Sequence, residues 1–404
     1  MSTLTQLEKQ IIATVVYYDI LNYPLTSFEI FLYLIKDCHC EERKRGGNLA
    51  ENEKVNLVTG LPRLSEPRND NILLINVTEA LDNSEFLKEN LDQKLGFYFL
   101  KEREVSQKNS PLERGETRSG RGVFSCDSAD AKINTPQPLS RGELKIMEPL
   151  LDIVQERLDR KKIWDEKWKK SKKIFWIMQI IPFTKLVMGS GSFSLGNTRK
   201  DSDVDLMIVA KWGRIWTVRT FFTLLTSILR VRRYKDRTED MICLNHYITD
   251  KSLRIPFESL YTAQLYYHIL SIYDSEEDRK MFRKFQEENQ WMKKYLENYE
   301  FSQLEGLRSM KRNRILSFIS KSFEFILSGK IGDYFEKIMS KIQSNRIKKD
   351  PLNLKKGGRI TISDDQLEFH PDSHESHIIP RFNQKMKELG IDEFASQKDS
   401  GLNI

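Results

Sequence analysis

The stretch that decides the fold runs from Lys185 to Ala210, KLVMGSGSFSLGNTRKDSDVDLMIVA. A short apolar strand, Leu186-Val187-Met188, leads into Gly191-Ser192. Small residues there let the backbone approach a ligand, and the turn feeds a short helix. Asp203 and Asp205 then open a second apolar run, Val204 to Val209, which reads as a buried strand with two carboxylates at its exposed entrance. Strand side chains alternate, so these carboxylates share a face of the sheet. They repel each other unless a cation sits between them. A hard cation such as Mg2+, held by one or two carboxylates plus substrate phosphates, suits that geometry. Asp201 has the same parity but belongs to the Arg199-Lys200 turn.

Downstream, a helix over Arg214 to Arg230 precedes a strand, Met241 to Ile248. Asn245 stands inside that strand, with Asp240 and Glu239 just before it and His246 beside it. Upstream, apolar residues recur at helical spacing from Leu4 to Leu21, and Asn22-Tyr23-Pro24 breaks the helix. Thr26 can cap a second helix, Ser27 to Ile35. A third helix is expected over Thr78 to Leu91, then an apolar strand, Gly96 to Leu100. Between the second and third helices lies a polar stretch, residues 36–71.

The Gly-Ser loop, the spacer and the Asp-Val-Asp strand entrance resemble the signature of the DNA polymerase beta-like nucleotidyltransferase superfamily. The run GSFSLGNTRKDSDVDL looks closest to its minimal prokaryotic members. YYDILNYPLTSFEIFLYLI and the later GFYFLKERE resemble the winged-helix segment found ahead of some of those domains. The resemblance implies an α+β multidomain chain: winged helix over 1–105, flexible insertion over 106–143, nucleotidyltransferase α/β sheet over 144–255, and a mostly helical region with a terminal hairpin over 256–404. It implies that Gly191 and Ser192 grip a triphosphate, with Arg199 as a further phosphate contact, and that Asp203 and Asp205 bind catalytic Mg2+. The expected activity is transfer of a nucleoside monophosphate from a nucleoside triphosphate to the hydroxyl of an unidentified acceptor, held by the C-terminal helices. The superfamily usually supplies a third carboxylate that activates the attacking hydroxyl. Here Asn245 occupies the expected place, and asparagine cannot act as a base. Asp240 or His246 substitutes, or the chemistry is impaired and the chain is a nucleotide-binding regulator.

A DNA-binding regulator is a third reading. The presumed recognition helix argues against it, with Glu79, Asp82, Glu85, Glu89 and Asp92 against Lys88 and Lys94. A net charge of +7 over 404 residues is too mild to argue for nucleic acid. Four scattered cysteines give no disulfide framework, no signal peptide opens the chain, and the most apolar stretch, Ile174 to Met188, is broken by Pro182 and Lys185. The expectation is a cytoplasmic protein without a membrane segment.

The remaining features are weaker. Residues 106–143 are rich in Ser, Gly, Arg and Pro, and SPLERGE at 110–116 returns as QPLSRGE at 137–143. The basic run Arg160 to Lys173 on a long helix, 144–181, reads as a solvated face. Leu260 to Asn345 reads as helical throughout, its aromatic stripes as core. Cys38-His39-Cys40 lacks the paired spacing of a zinc site. His370, Asp372, His374 and His377 follow a hairpin beginning at Gly358 and read as a polar loop.

Overall fold

The computed structural model describes residues 4–36, 72–101, 141–234, 237–299, 308–350, 358–370 and 373–391. The insertion at 106–140, nearly all of the polar stretch 36–71, Cys38-His39-Cys40 and Asp372 lie outside the described residues. Among the described residues, no helix is long and apolar enough to cross a membrane.

The N-terminal elements are α1 (Gln6–Ile20), β1 (Leu25–Thr26), α2 (Ser27–Leu32), α3 (Leu74–Asn83), α4 (Glu85–Asn90), β2 (Leu91–Lys94) and β3 (Phe97–Leu100). Thr5 with Glu8 and Thr26 with Glu29 form reciprocal capping boxes that start α1 and α2. The helix expected over Thr78 to Leu91 is instead two helices and a strand. Ser84 leaves the helical region and caps α4, and Leu91 is already extended. Leu95 and Gly96, both at positive φ, make the tight turn between β2 and β3. The three strands pair in the order β1-β3-β2.

The rest is built on a mixed six-stranded sheet. Its elements are α5 (Arg141–Met178), β4 (Thr184–Gly189), α6 (Gly191–Leu195), β5 (Val204–Ala210), α7 (Ile215–Ile228), β6 (Ile242–Thr249), α8 (Leu260–Tyr267), β7 (Leu270–Asp274) and α9 (Lys280–Glu288). α10 (Arg314–Ile326), α11 (Gly329–Lys348), β8 (Arg359–Ile362), β9 (Gln366–His370) and α12 (Glu375–Glu388) complete it. The strand order is β7-β4-β5-β6-β9-β8. β5 and β6 run parallel, joined through α7, and the other neighbours are antiparallel. Chains of buried side chains cover both faces: α1, α8, α9 and α12 on one, α5 and α7 on the other. The chain is thus a mixed α/β protein.

Three expectations for the helices fail. The region 260–345 is not helical throughout, because Leu270–Asp274 leaves α8 and adds to the sheet beside β4. The stripe on α10 is not core. Ile315, Phe318 and Ile326 are exposed, and the inward face carries Leu316, Ser317 and Ser320, whose Oγ donates to Ile181 O at 3.2 Å. The basic run on α5 is not wholly solvated either. Arg160 is buried and donates to Asn197 Oδ1 at 2.9 Å, and Lys167 is 2% exposed.

Candidate active site

β4 and β5 lie antiparallel, so the loop leaving β4 comes back over the entrance of β5. Ser190 N donates to Asp205 O at 3.0 Å, which fastens the loop to that entrance. Gly191 follows at φ +63°, a left-handed conformation that favours glycine. A Cβ there would stand 3.0 Å from Asp205 Oδ2, so the missing side chain is what brings the backbone against the carboxylate. Ser192 is partly exposed in the first turn of α6, and its carbonyl accepts from Asn197 N at 3.0 Å.

Asp203 and Asp205 come together as their parity requires. They form one group with Cys243, a ligand atom of each lying within 4.8 Å of the others. Cys243 pairs with Asp205 across the parallel β5–β6 ladder. Asn245, further along β6, donates through Nδ2 to Asp205 Oδ1 at 3.0 Å. That fixes its amide: a carboxylate accepts only from the nitrogen, so Oδ1 faces away, buried and without a hydrogen-bond partner. Arg233 Nη1 donates to Asp203 Oδ2 at 2.7 Å and lies 3.8 Å from Cys243 Sγ.

The electrostatics follow. Burial, and then the neighbouring Asp203 charge, push the Asp205 carboxyl up to about 7. Burial likewise raises the Cys243 thiol well above its usual range, with Asp205 and Asp203 adding to it, so it is a neutral thiol. Arg233 is raised despite its burial, because Asp203, Cys243 and Asp205 all favour its charge. The cluster calls for positive charge, and Arg233 meets part of that demand.

The sequence did not mark Arg233 or Cys243. The signals were there: an Arg-Val-Arg-Arg run just ahead of β6, and a cysteine two places before Asn245 on the same strand. Asp240, expected as a substitute third acid, is engaged elsewhere. Its carboxylate accepts from Lys167 Nζ at 2.9 Å and Lys170 Nζ at 2.6 Å. Against the upward pull of partial burial, those lysines hold it below the usual carboxylate range. Lys167 Nζ also donates to the carbonyls of Lys200 and Ser202, so the pair braces the turn before Asp203. His246, the other substitute, bonds to Tyr266 on α8. Arg199 reaches across its own turn to Asp201 at 3.4 Å. Among the described residues, no third carboxylate joins Asp203 and Asp205.

A hard divalent cation fits this donor set. Two carboxylates supply oxygen ligands, and burial beside the Asp203 charge leaves Asp205 without full compensation when ionised. A small cavity opens beside the loop, lined by Tyr17, Tyr18, Gly191, Tyr261, Gln264 and His268. The N-terminal elements therefore build part of the site. Tyr23 Oη donates to Leu195 O at 2.9 Å, and Asn197 Nδ2 donates to Leu21 O at 3.0 Å. Comparison with protein-family models, with curated proteins and with solved structures finds no match to this chain.

Proposed function

We propose that the chain is a Mg2+-dependent nucleotidyltransferase of the polymerase beta-like kind, moving a nucleoside monophosphate from a nucleoside triphosphate to an acceptor hydroxyl. The observation that carries this reading is the junction of loop and strand. The loop passes so close that a Cβ on Gly191 would stand 3.0 Å from Asp205 Oδ2, at the point where Asp203 and Asp205 converge. Asp203 and Asp205 would hold Mg2+, which there would neutralise the triphosphate and align it for in-line displacement. The Gly191-Ser192 backbone and Arg233 would face the phosphates. The strand order β1-β3-β2 beside α1 to α4 supports the winged-helix reading of the N-terminal elements. Their contacts with the loop favour a role in building the site over one in reading DNA.

A second reading is favoured by one observation. The group that hydrogen-bonds to Asp205 from β6 is an amide, and among the described residues no third carboxylate stands beside the pair as a general base. The chain would then bind the triphosphate without turning it over. One experiment separates the two. The full chain is incubated with each labelled triphosphate, Mg2+ and cell extract, and triphosphate binding is measured in parallel by calorimetry. Label transfer that the Asp203→Asn, Asp205→Asn double variant lacks supports the enzyme. Mg2+-dependent binding with no transfer, and transfer gained by Asn245→Asp, supports the second reading. Wild-type-like transfer by the double variant rules out the assignment.

A further inference from the structure

On the sheet face that carries Asp205, β6 and β9 gather a second group of donors. His246, buried at 3% exposure, lies directly opposite Glu368 in the β6–β9 register. His370 follows two residues along β9 and so shares the face of Glu368. One ligand atom from each of the three lies within 4.8 Å of the other two.

The hydrogen bonds around His246 fix its tautomer. Gln366 Nε2 lies 3.2 Å from Glu368 Oε2 and 3.3 Å from His246 Nε2. A carboxylate accepts only from the amide nitrogen, and that nitrogen only donates, so His246 Nε2 is the acceptor. The ring proton therefore sits on Nδ1 and is donated to Tyr266 Oη at 3.0 Å. Metal-bound imidazoles are oriented in this way, with one nitrogen held by an outer partner; a metal at Nε2 would take the lone pair that the long Gln366 Nε2 contact of 3.3 Å now uses.

The charge balance asks for a cation as well. Arg359 Nη2 is 2.6 Å from Glu375 Oε2, and Arg359 Nη1 is 3.7 Å from Glu368 Oε1. All three side chains are nearly inaccessible. Two buried carboxylates thus share one guanidinium, and Glu368 has otherwise a histidine 3.8 Å away.

We propose that His246, Glu368 and His370 form a binding site for a divalent transition metal, with Zn2+ the best match. Two imidazole nitrogens and one carboxylate are a Zn2+ donor set, whereas Mg2+ prefers oxygen throughout. Ligand atoms around tetrahedral Zn2+ stand about 3.3–3.5 Å apart, and His370 Nε2 already lies 3.8 Å from Glu368 Oε1, so only a small closure is needed on binding. The metal clamps the C-terminal hairpin β8–β9 to β6. The site stands apart from the Asp203/Asp205 cluster and does not depend on nucleotidyl transfer.

The test uses the full chain, stripped with chelator, loaded with Zn2+ alone and dialysed. Elemental analysis should find one retained equivalent, and X-ray absorption at the zinc edge should show imidazole nitrogens and oxygen with no sulfur. Retention and the Zn2+-induced rise in melting temperature should both be lost in His370→Gln. They should also be lost in Glu368→Gln, which keeps volume and hydrogen-bonding capacity if His370→Gln misfolds. Tyr266→Phe, which removes only the partner of Nδ1, should weaken Zn2+ binding about 10–100-fold. A sulfur-containing shell (Cys243 or another cysteine), no retained Zn2+ in the wild type, or equal retention by folded His370→Gln or Glu368→Gln overturns the proposal.

Discussion

Replacing Asp205 with Asn should stabilise the metal-free protein, by an amount that grows as pH rises from 3.8 to about 7. Burial and the Asp203 charge carry the Asp205 carboxyl from 3.8 up to about 7, which corresponds to a penalty of about 4 kcal/mol on its ionised form. Asp205 keeps some contact with water, and screening there reduces the figure to about 2 kcal/mol. The sign follows from proton binding. Below pH 3.8 the carboxyl is protonated whether the chain is folded or not, so the penalty is absent. Between 3.8 and about 7 the folded state keeps a proton that the unfolded chain releases, so stability falls as pH rises. Above that window the whole penalty applies. Asn245 still has a side-chain partner in the variant, and Arg233 keeps Asp203, so little else changes.

Thermal unfolding in chelator at pH 5 and pH 8 reads this out. The variant's advantage should be about a third of its final size at pH 5 and complete at pH 8, a difference of a few °C for a chain of this length. Other groups that titrate in the window, Glu368 among them, are common to both proteins and cancel. Added Mg2+ should narrow the gap, because the wild type binds it better. An advantage equal at the two pH values, or a variant less stable than the wild type at pH 8, refutes the account of Asp205 as a buried, under-compensated carboxylate.

Asp240→Asn should leave nucleotidyl transfer intact and lower stability by about 1–3 kcal/mol, since it strips buried Lys167 of its anionic partner. Urea unfolding beside a labelled-triphosphate assay checks this, and lost transfer in a folded variant would restore Asp240 as a catalytic group. Gly191→Ala forces a side chain into a left-handed conformation 3.0 Å from Asp205 Oδ2. It should cost about 1 kcal/mol of stability and at least about tenfold in triphosphate affinity by calorimetry. Arg233→Met removes the cation paired with Asp203, and should tighten binding of Mg2+ alone by about tenfold while weakening the triphosphate. Unchanged Mg2+ affinity there counts against a shared position for guanidinium and metal.

What the sequence shows and hides follows from the range of the interactions. The Asp203/Asp205 pair and the glycine beside it are local features of one strand entrance and one turn, and they are visible as such. So are the starts of α1 and α2, because a capping box spans only four residues. The break at Ser84 is equally local, yet the apolar pattern runs through it from Leu74 to Leu91 and hides it. β7 is hidden for a different reason. Its apolar residues continue those of α8, and only pairing with β4, some eighty residues earlier in the chain, makes it a strand. Lys167 and Asp240 are likewise 73 residues apart, so neither the burial of the lysine nor the engagement of the acid has a local signature.

β6 is where the two sites meet, and a single residue sets both. Cys243 pairs with Asp205 and Leu244 with Leu206, then the register shifts and His246 pairs with Met207. Asn245 is the extra residue of that irregularity, and such an insertion re-aims the side chains beside it. Met207 shares the face of Asp205, so the shift puts His246 on that face too, toward Tyr266 and Glu368. In unbroken register His246 would lie opposite Ile208, whose side chain belongs to the core on the other side of the sheet. The position at which the superfamily resemblance expects an acid is thus also the position that lets one short strand serve both sites: Asn245 against Asp205 at the candidate active site, His246 against Glu368 at the candidate zinc site. A side chain at 245 is constrained by register as well as by chemistry. Asparagine satisfies the first demand, and it meets the second by donating a hydrogen bond to Asp205 without adding another buried negative charge beside Asp203 and Asp205.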